Sequence, residues 1–220
     1  MIELKKRIIT SLFLFILIIL MYIYSYVLII ALIIISLIIW IEFFGLILKI
    51  FHKENLKNKI FKLFFKGISL IYLCLLSFMI VLIFSKENDY KFFTIYSFLV
   101  AITSDIGGMV FGRIFKGRKL TKISPKKTIS GAIGAFFFSI SLIFIFNKNF
   151  ENYEFMKVLF FTVFVSFISQ IGDLFISFLK RKANVKDTSD ILPGHGGLLD
   201  RVDGIIFALP FGIFLSRFLF

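Results

Sequence analysis

The chain has 220 residues, 59% of them hydrophobic and 33 of them Phe, with 26 Lys and Arg against 13 Asp and Glu. That much apolar surface exceeds what one soluble core of this length can hide, and the single cysteine, Cys74, excludes both an internal disulfide framework and a Cys-rich metal site. A net charge of +13 would point to nucleic acid in a soluble protein, but the positions of the cations give it another meaning here.

The opening "MIELKKRIITSLFLFILIIL" begins like a signal peptide. Its apolar stretch continues to about Ile50 without a small-residue cleavage site, so a retained anchor is expected. Seven apolar stretches follow one another, at roughly 8–25, 27–48, 61–84, 92–112, 129–146, 157–179 and 204–219. Each approaches or exceeds the length needed for a hydrocarbon core of ~30 Å. The first two are expected to meet in a very tight turn near Tyr24-Ser25-Tyr26. The fold class is therefore all-α: a polytopic integral membrane protein with about seven transmembrane helices. Residues 1–90 are expected to form N-terminal membrane helices. Residues 91–220 are expected to form a catalytic membrane region with two cytoplasmic active-site loops, 113–128 and 180–203.

Charge orients these spans. With the N-terminus in the cytoplasm, the N-terminal tail and the connections near 49–66, 113–127 and 180–203 share that side and hold 21 of the 26 Lys and Arg. Short connections rich in Lys and Arg stay inside. The basic surplus is thus mainly a topology signal, supplemented by attraction to anionic headgroups, and nucleic acid is not expected as a partner.

Span four ends in "SDIGGMVFGRIFKGRKLTKISPKKT". Ser97, Ala101, Asp105, Gly108 and Gly112 recur at close to every fourth residue, a small face that lets a helix or a ligand approach the backbone. Gly107 to Gly112 has the glycine spacing of a phosphate-binding loop, but Arg113-Ile114 follows where Lys-Ser/Thr is required, so that reading fails. Seven cations then crowd positions 113–127, among them Lys126 and Lys127, and suit a polyphosphate. Ser124 or Thr128 is placed to cap span five, whose Gly131 and Gly134 are expected to serve packing.

Span six carries Ser166, Gln170, Asp173, Ser177 and Lys180 at spacings of 4, 3, 4 and 3, one stripe of a helix. A carboxylate inside a membrane helix costs several kcal/mol and normally faces a cavity or a partner. The competing reading is a polar helix–helix seam, with Gly172 permitting close packing. The connection that follows, "KRKANVKDTSDILPGHGGLLDRVDG", holds Asp187, Asp190, Asp200 and Asp203 within seventeen residues. Carboxylates are the ligands Mg²⁺ prefers, one or two from protein with water and phosphate completing the shell. "PGHGG" either turns the chain or lets its backbone approach a ligand closely. Acids for a metal, cations for phosphate and a bilayer position together imply phosphoryl or nucleotidyl transfer onto a lipid.

These residues resemble the phosphatidate cytidylyltransferases (CDP-diacylglycerol synthases). The family's C-terminal signature is matched by Ser177, Lys180, Arg181, Lys186, Asp187, Pro193, His195, Gly196, Gly197, Asp200, Arg201 and Asp203. The resemblance covers roughly residues 100–215. Ser130 stands where the family commonly has Glu, Gly108-Met109 where an aromatic is frequent, and the N-terminal membrane portion is shorter than usual.

The resemblance implies a reaction of CTP with phosphatidate to give CDP-diacylglycerol and pyrophosphate, at the cytoplasmic side of the inner (plasma) membrane. It implies Mg²⁺ at Asp173 and Asp200, with room for a second cation, and Asp203 and Asp187 as ligands or close neighbours. Lys180, Arg181, Lys186 and Arg201 would hold phosphates, with Lys126, Lys127, Ser177 and Asp105 completing substrate binding and His195 orienting a phosphate or the lipid headgroup. The expected partners are CTP, phosphatidate and the bilayer, with a homodimer as one assembly state. The alternatives are a CTP- or ATP-dependent kinase of an isoprenoid alcohol and a membrane transporter. The kinase needs a base for a hydroxyl, and the transporter lacks matching acids in the outer half or a visible inverted repeat.

Fusions test the topology. A reporter active only in the cytoplasm should work after Lys119 or Lys186 and fail after Asp89 or Asn149. Opposite results at Lys119 and Lys186 would dismantle the shared face.

Overall fold

The computed structural model describes residues 2–85, 89–121, 124, 127–192 and 196–220. Seven helices occupy the seven apolar stretches: α1 (Ile2–Ile23), α2 (Ser25–Ile50), α3 (Leu56–Phe84), α4 (Asp89–Ile114), α5 (Ile129–Ile145), α6 (Phe155–Lys182) and α7 (Leu199–Leu219). No strand accompanies them among the described residues. Five of the helices, α2, α3, α4, α6 and α7, are long and apolar enough to cross a membrane, whereas α5 and the Ile9–Ile23 part of α1 are shorter apolar helices. The protein is an all-α polytopic membrane protein.

Helix is what this composition must form in lipid, because a spanning backbone has no water to satisfy its polar groups. The junction of α1 and α2 obeys the same constraint. Only Tyr24 separates them, in an extended conformation (φ −116°, ψ 112°). Its N–H donates to Leu20 O at 2.9 Å and its carbonyl accepts from Leu28 N–H at 3.1 Å, so the turn leaves neither group unpaired.

The chain divides into two units, and α6 and α7 each contribute to both. The first unit comprises Met1–Glu87 with Leu179–Val202. Residues 179–202 thus group with the N-terminal helices rather than with the rest of the expected catalytic region. Within this unit α2 and α3 are joined through polar as well as apolar side chains. The hydroxyls of Ser36 and Ser77 share a hydrogen bond of 2.8 Å, and Trp40 Nε1 donates to Lys66 O at 3.0 Å. Lys66 Nζ lies 5.3 Å from the Trp40 ring and 5.0 Å from that of Phe44, a cation resting on aromatic faces.

The second unit comprises Asn88–Phe178 with Asp203–Phe220. Its helices meet on glycine and serine. A Cβ on Gly107 would lie 2.5 Å from Gly134 O, and one on Gly108 3.6 Å from Gly131 O, so these glycines of α4 are spent on α5. Gly212 of α7 faces Ser97 of α4, and Gly204 of α7 faces Ser169 of α6. Gly172 of α6 lies against Phe207 and the Asp203 carbonyl, where an added Cβ would come within 2.6 Å and 2.9 Å. Small residues do this in membranes because no hydrophobic drive separates helix from lipid, and dispersion at close range must replace it. One end of the unit is filled by aromatic rings. Phe93 stacks on Phe220 with centroids 4.3 Å apart, Tyr96 meets Phe150 edge-on at 5.0 Å, and Tyr96 Oη pairs with Thr162 Oγ1 at 2.8 Å.

Opposite signs are expected for two glycine substitutions. Gly134→Ala meets Phe111 and Gly107 O and should destabilise by about 1–3 kcal/mol through overpacking. Gly67→Ala on α3 meets nothing within 4 Å and should be neutral or stabilising by up to about 1 kcal/mol through helix propensity. Thermal unfolding in detergent distinguishes them.

Candidate active site

The residues singled out by the sequence form two constellations, one in each unit. In the second unit the key is Asp173, on the polar stripe of α6. Its carboxylate forms an ion pair with Lys127 Nζ, and Ser177 Oγ, one turn on, donates to its other oxygen at 3.4 Å. About a quarter of each side chain in the ion pair remains exposed, so both are reachable. Asp105 of α4 is close enough to Asp173 and Lys127 for direct electrostatic interaction. Two acids and one lysine therefore share this place.

Lys127 is held there by the local fold of the basic connection. Lys116 (φ 49°) and Gly117 (φ 81°) reverse the chain after α4. The segment then returns antiparallel to itself: Leu120 N–H donates to Lys127 O at 2.8 Å and Ile129 N–H to Arg118 O at 3.0 Å. Thr128 caps α5, its hydroxyl accepting from Gly131 N–H at 3.1 Å, as one of the two expected caps. Ser130 Oγ donates to Lys116 O at 3.1 Å, so the residue that replaces the family's usual Glu ties the start of the connection to its end. Arg113, Lys116, Arg118 and Lys119 are exposed. Lys126 lies outside the described residues.

The first unit contains the other constellation. α6 ends on Asn184 in the left-handed region (φ 55°), with Val185 N–H donating to Lys180 O at 3.0 Å and Asn184 N–H to Arg181 O at 3.1 Å. This paired closure satisfies the last carbonyls of the helix. Lys180 Nζ donates to Asp200 Oδ1 at 2.7 Å, and the two side chains are only 10% and 5% exposed. Asp200 Oδ2 accepts from Thr188 N–H at 2.8 Å, Thr188 Oγ1 at 3.0 Å and Gly197 N–H at 3.0 Å. Asp200, in the first turn of α7, thus pins the preceding loop as well as meeting Lys180. Arg181, Lys186, Asp187 and Arg201 are exposed and stand outside this ion pair. Asp203, in the second unit, is buried and accepts from Gly204 N–H at 2.9 Å. His195, with Pro193 and Gly194, lies outside the described residues.

One residue escaped the sequence reading. Glu42 of α2 is 4% exposed, and its carboxylate accepts from Thr188, Ser189, Leu198 and Leu199. Gly197 faces the same cluster: a Cβ there would collide first with Thr188 Oγ1 and would lie 2.8 and 2.9 Å from the two Glu42 oxygens. Of the two readings of "PGHGG", a turn or a close backbone approach to a ligand, Gly196 takes the left-handed conformation of a turn (φ 83°) and the Gly197 N–H meets a protein carboxylate, that of Asp200, at 3.0 Å. The available signal was the one that drew attention to Asp105 and Asp173, an acid within an apolar span.

The model of the cytidylyltransferase family matches residues 1–219 of this chain. The chain belongs to the cytidylyltransferase family. Among curated proteins, the phosphatidate cytidylyltransferase of Rickettsia felis is 40% identical over 140 residues, covering 60% of this chain and 62% of the relative. That of Staphylococcus haemolyticus is 40% identical over 130 residues, covering 58% and 50%. The chain therefore spans about half to three fifths of the length of these relatives.

Divalent-metal chemistry can be tested against the donors of this family member. Among the described residues no three His, Cys, Asp or Glu side chains gather to hold a metal ion. Mg²⁺ needs no such group, since one or two carboxylates suffice when phosphate and water supply the rest. Asp173 and Asp105, oxygen donors beside a partly exposed lysine, fit that requirement. On Asp200, Oδ2 already accepts three hydrogen bonds, which leaves Oδ1, shared with Lys180, as the atom open to a cation.

The buried ion pair yields a stability test. Lys180→Met keeps the apolar stem and strands a buried carboxylate, which should cost about 3–5 kcal/mol. Adding Asp200→Asn should recover part of that loss, because the stranded charge is gone. Thermal midpoints in detergent report both.

Proposed function

We propose that this chain is a phosphatidate cytidylyltransferase, transferring the cytidylyl group of CTP to phosphatidate at the cytoplasmic face of a plasma membrane. The observation that carries the reading is the Lys127–Asp173 pair: a carboxylate within an apolar helix, met by the last lysine of a strongly basic connection. Family membership and the names of the relatives support the same reading over an isoprenoid-alcohol kinase or a transporter.

The reaction joins two anions. A phosphate oxygen of phosphatidate forms a bond to the α-phosphorus of CTP, the bond from that phosphorus to the oxygen bridging the β-phosphate breaks, and pyrophosphate leaves with the electron pair. Phosphatidate is already ionised near neutral pH, so no side chain needs to remove a proton. Charge neutralisation and alignment are what the protein supplies. Lys127 is the cation we assign to the CTP phosphates, exchanging its contact with Asp173 for one with the nucleotide. Asp173, with Asp105 beside it, would hold Mg²⁺, and the Oδ1 atom of Asp200 offers a place for a further cation. When bound, the metal supplies positive charge to the phosphate oxygens. Lys180 is the second phosphate-directed cation, oriented by Asp200. Arg181, Lys186 and Arg201, exposed at the surface, suit the headgroup or the outer phosphates.

Purified protein in detergent, given CTP, Mg²⁺ and phosphatidate, should release CDP-lipid and pyrophosphate in equal amounts. Asp173→Asn keeps shape and hydrogen bonding but removes the charge, and should lower the rate by at least ~10²-fold, the scale of losing a principal electrostatic stabiliser. Activity near wild type in folded Asp173→Asn protein would overturn the assignment.

A further inference from the structure

Glu42 has no part in the chemistry above, yet its carboxylate accepts from four donors, as many as Asp200 does. It sits in an otherwise apolar part of α2, with Ile41 before it and Phe43-Phe44 after it. Four donors reach its two oxygens: Ser189 Oγ at 2.5 Å and Leu198 N–H at 3.0 Å to Oε1, Leu199 N–H at 2.7 Å and Thr188 Oγ1 at 3.0 Å to Oε2. Two of these are backbone amides at the start of α7, groups that a helix leaves without internal partners and that favour a negative charge. The other two are hydroxyls of the 187–198 loop. A buried carboxylate is stabilised only when its lone pairs are occupied in this way, so Glu42 and the loop hold one another.

Thr188 carries the connection further. Its hydroxyl is 3.0 Å from Glu42 Oε2 and 3.0 Å from Asp200 Oδ2. A hydroxyl has one proton to donate, so it serves one carboxylate at a time. Asp200 Oδ2 keeps two backbone N–H partners, from Thr188 and Gly197, when the hydroxyl turns to Glu42. Glu42, Thr188, Asp200 and Lys180 thus form an unbroken chain of contacts, from the middle of an N-terminal helix to the buried ion pair.

We propose that Glu42 is a positioning residue for cytidylyl transfer: through Thr188 and the Leu198 and Leu199 amides it fixes the end of the loop and the first turn of α7, which carries Asp200, and so sets where Asp200 and Lys180 stand. The inference rests on the functional reading given above and adds to it a residue of α2. Glu42 touches neither substrate nor metal in this scheme. Its effect reaches the reaction only through loop geometry, and the Thr188 hydroxyl is the coupling element.

The test reads the loop and the reaction separately. Lys186 is exposed beside the loop, so trypsin cleavage there, in detergent and without substrates, reports loop opening. Glu42→Ala and Thr188→Val should each speed cleavage by about tenfold or more, the equilibrium worth of a hydrogen bond to a charged acceptor, and Thr188→Ser should stay near wild type. In assays the first two variants should show reduced kcat and a higher Mg²⁺ concentration for half-maximal rate, again with rescue by Thr188→Ser. Wild-type cleavage in both variants overturns the proposal. Faster cleavage with kcat and Mg²⁺ dependence unchanged also overturns it, since Glu42 would then brace the fold without positioning Asp200. Should Glu42→Ala fail to fold, the Thr188→Val and Thr188→Ser pair, which leaves α2 intact, decides the same question. Should wild type make no CDP-lipid, the functional reading fails, and the cleavage arm alone decides whether Glu42 holds the loop.

Discussion

Taking a carboxylate out of water without partners costs several kcal/mol, more than any one helix contact returns. Three acids within the apolar helices of this chain are arranged under that constraint. Glu42 is matched by two hydroxyls and two amides, Asp173 by Lys127 and Ser177, and Asp200 by Lys180, Thr188 and Gly197. Each match draws a loop onto a helix. The 187–198 loop is held on α2 in this way, and the end of the basic connection is held on α6. Polar satisfaction therefore does in these loops what apolar burial does in a soluble core.

Close backbone packing supplies the rest. In the second unit, glycines and serines of α4, α5, α6 and α7 let the helices approach to distances at which a single added methyl would collide with backbone or ring atoms. Gly172 belongs to this packing and Asp173, the next residue, to the charged constellation. The close-packed seam and the charged carboxylate, opposed as alternatives for α6, are neighbouring parts of one helix. In the proposed reaction such packing would hold the charges in register, since a charge-neutralising site accelerates a reaction only when its charges are already in place.

Lysine plays two parts along this chain, and position separates them. Lys116 and Lys119 are exposed and belong to the charge bias of a connection. Lys127 and Lys180 are each directed onto a carboxylate, and such pairs retain their cations close to where anionic phosphates would be received. The same residue type, counted alike in the overall charge, thus divides into topology signals and candidate binding groups only when its partners are known.

The sequence by itself determined the helices, their number and most of their limits, because a run of apolar residues in lipid has one way to satisfy its backbone. Helices α1, α3 and α7 begin earlier than the apolar runs, so Asp200 and Asp203 fall within α7. It also marked the short polar stretches proposed for chemistry, since Asp173 and the "HGGLLDRVD" segment stand out against apolar neighbours. The break at Tyr24 was legible for the same local reason, and Thr128 was one of two candidate caps, between which the structure chose. Partners were another matter. Lys127 lies 46 residues from Asp173, Lys180 lies 20 residues from Asp200, and Glu42 lies 146 residues from Thr188. No periodicity or spacing encodes such pairs, because a hydrogen bond is made in space and depends on which helix packs beside which. Tertiary structure alone decided that Asp200 anchors the preceding loop as well as facing Lys180, that the Gly197 backbone approaches a protein carboxylate, and that an isolated glutamate in the second helix belongs with the C-terminal signature.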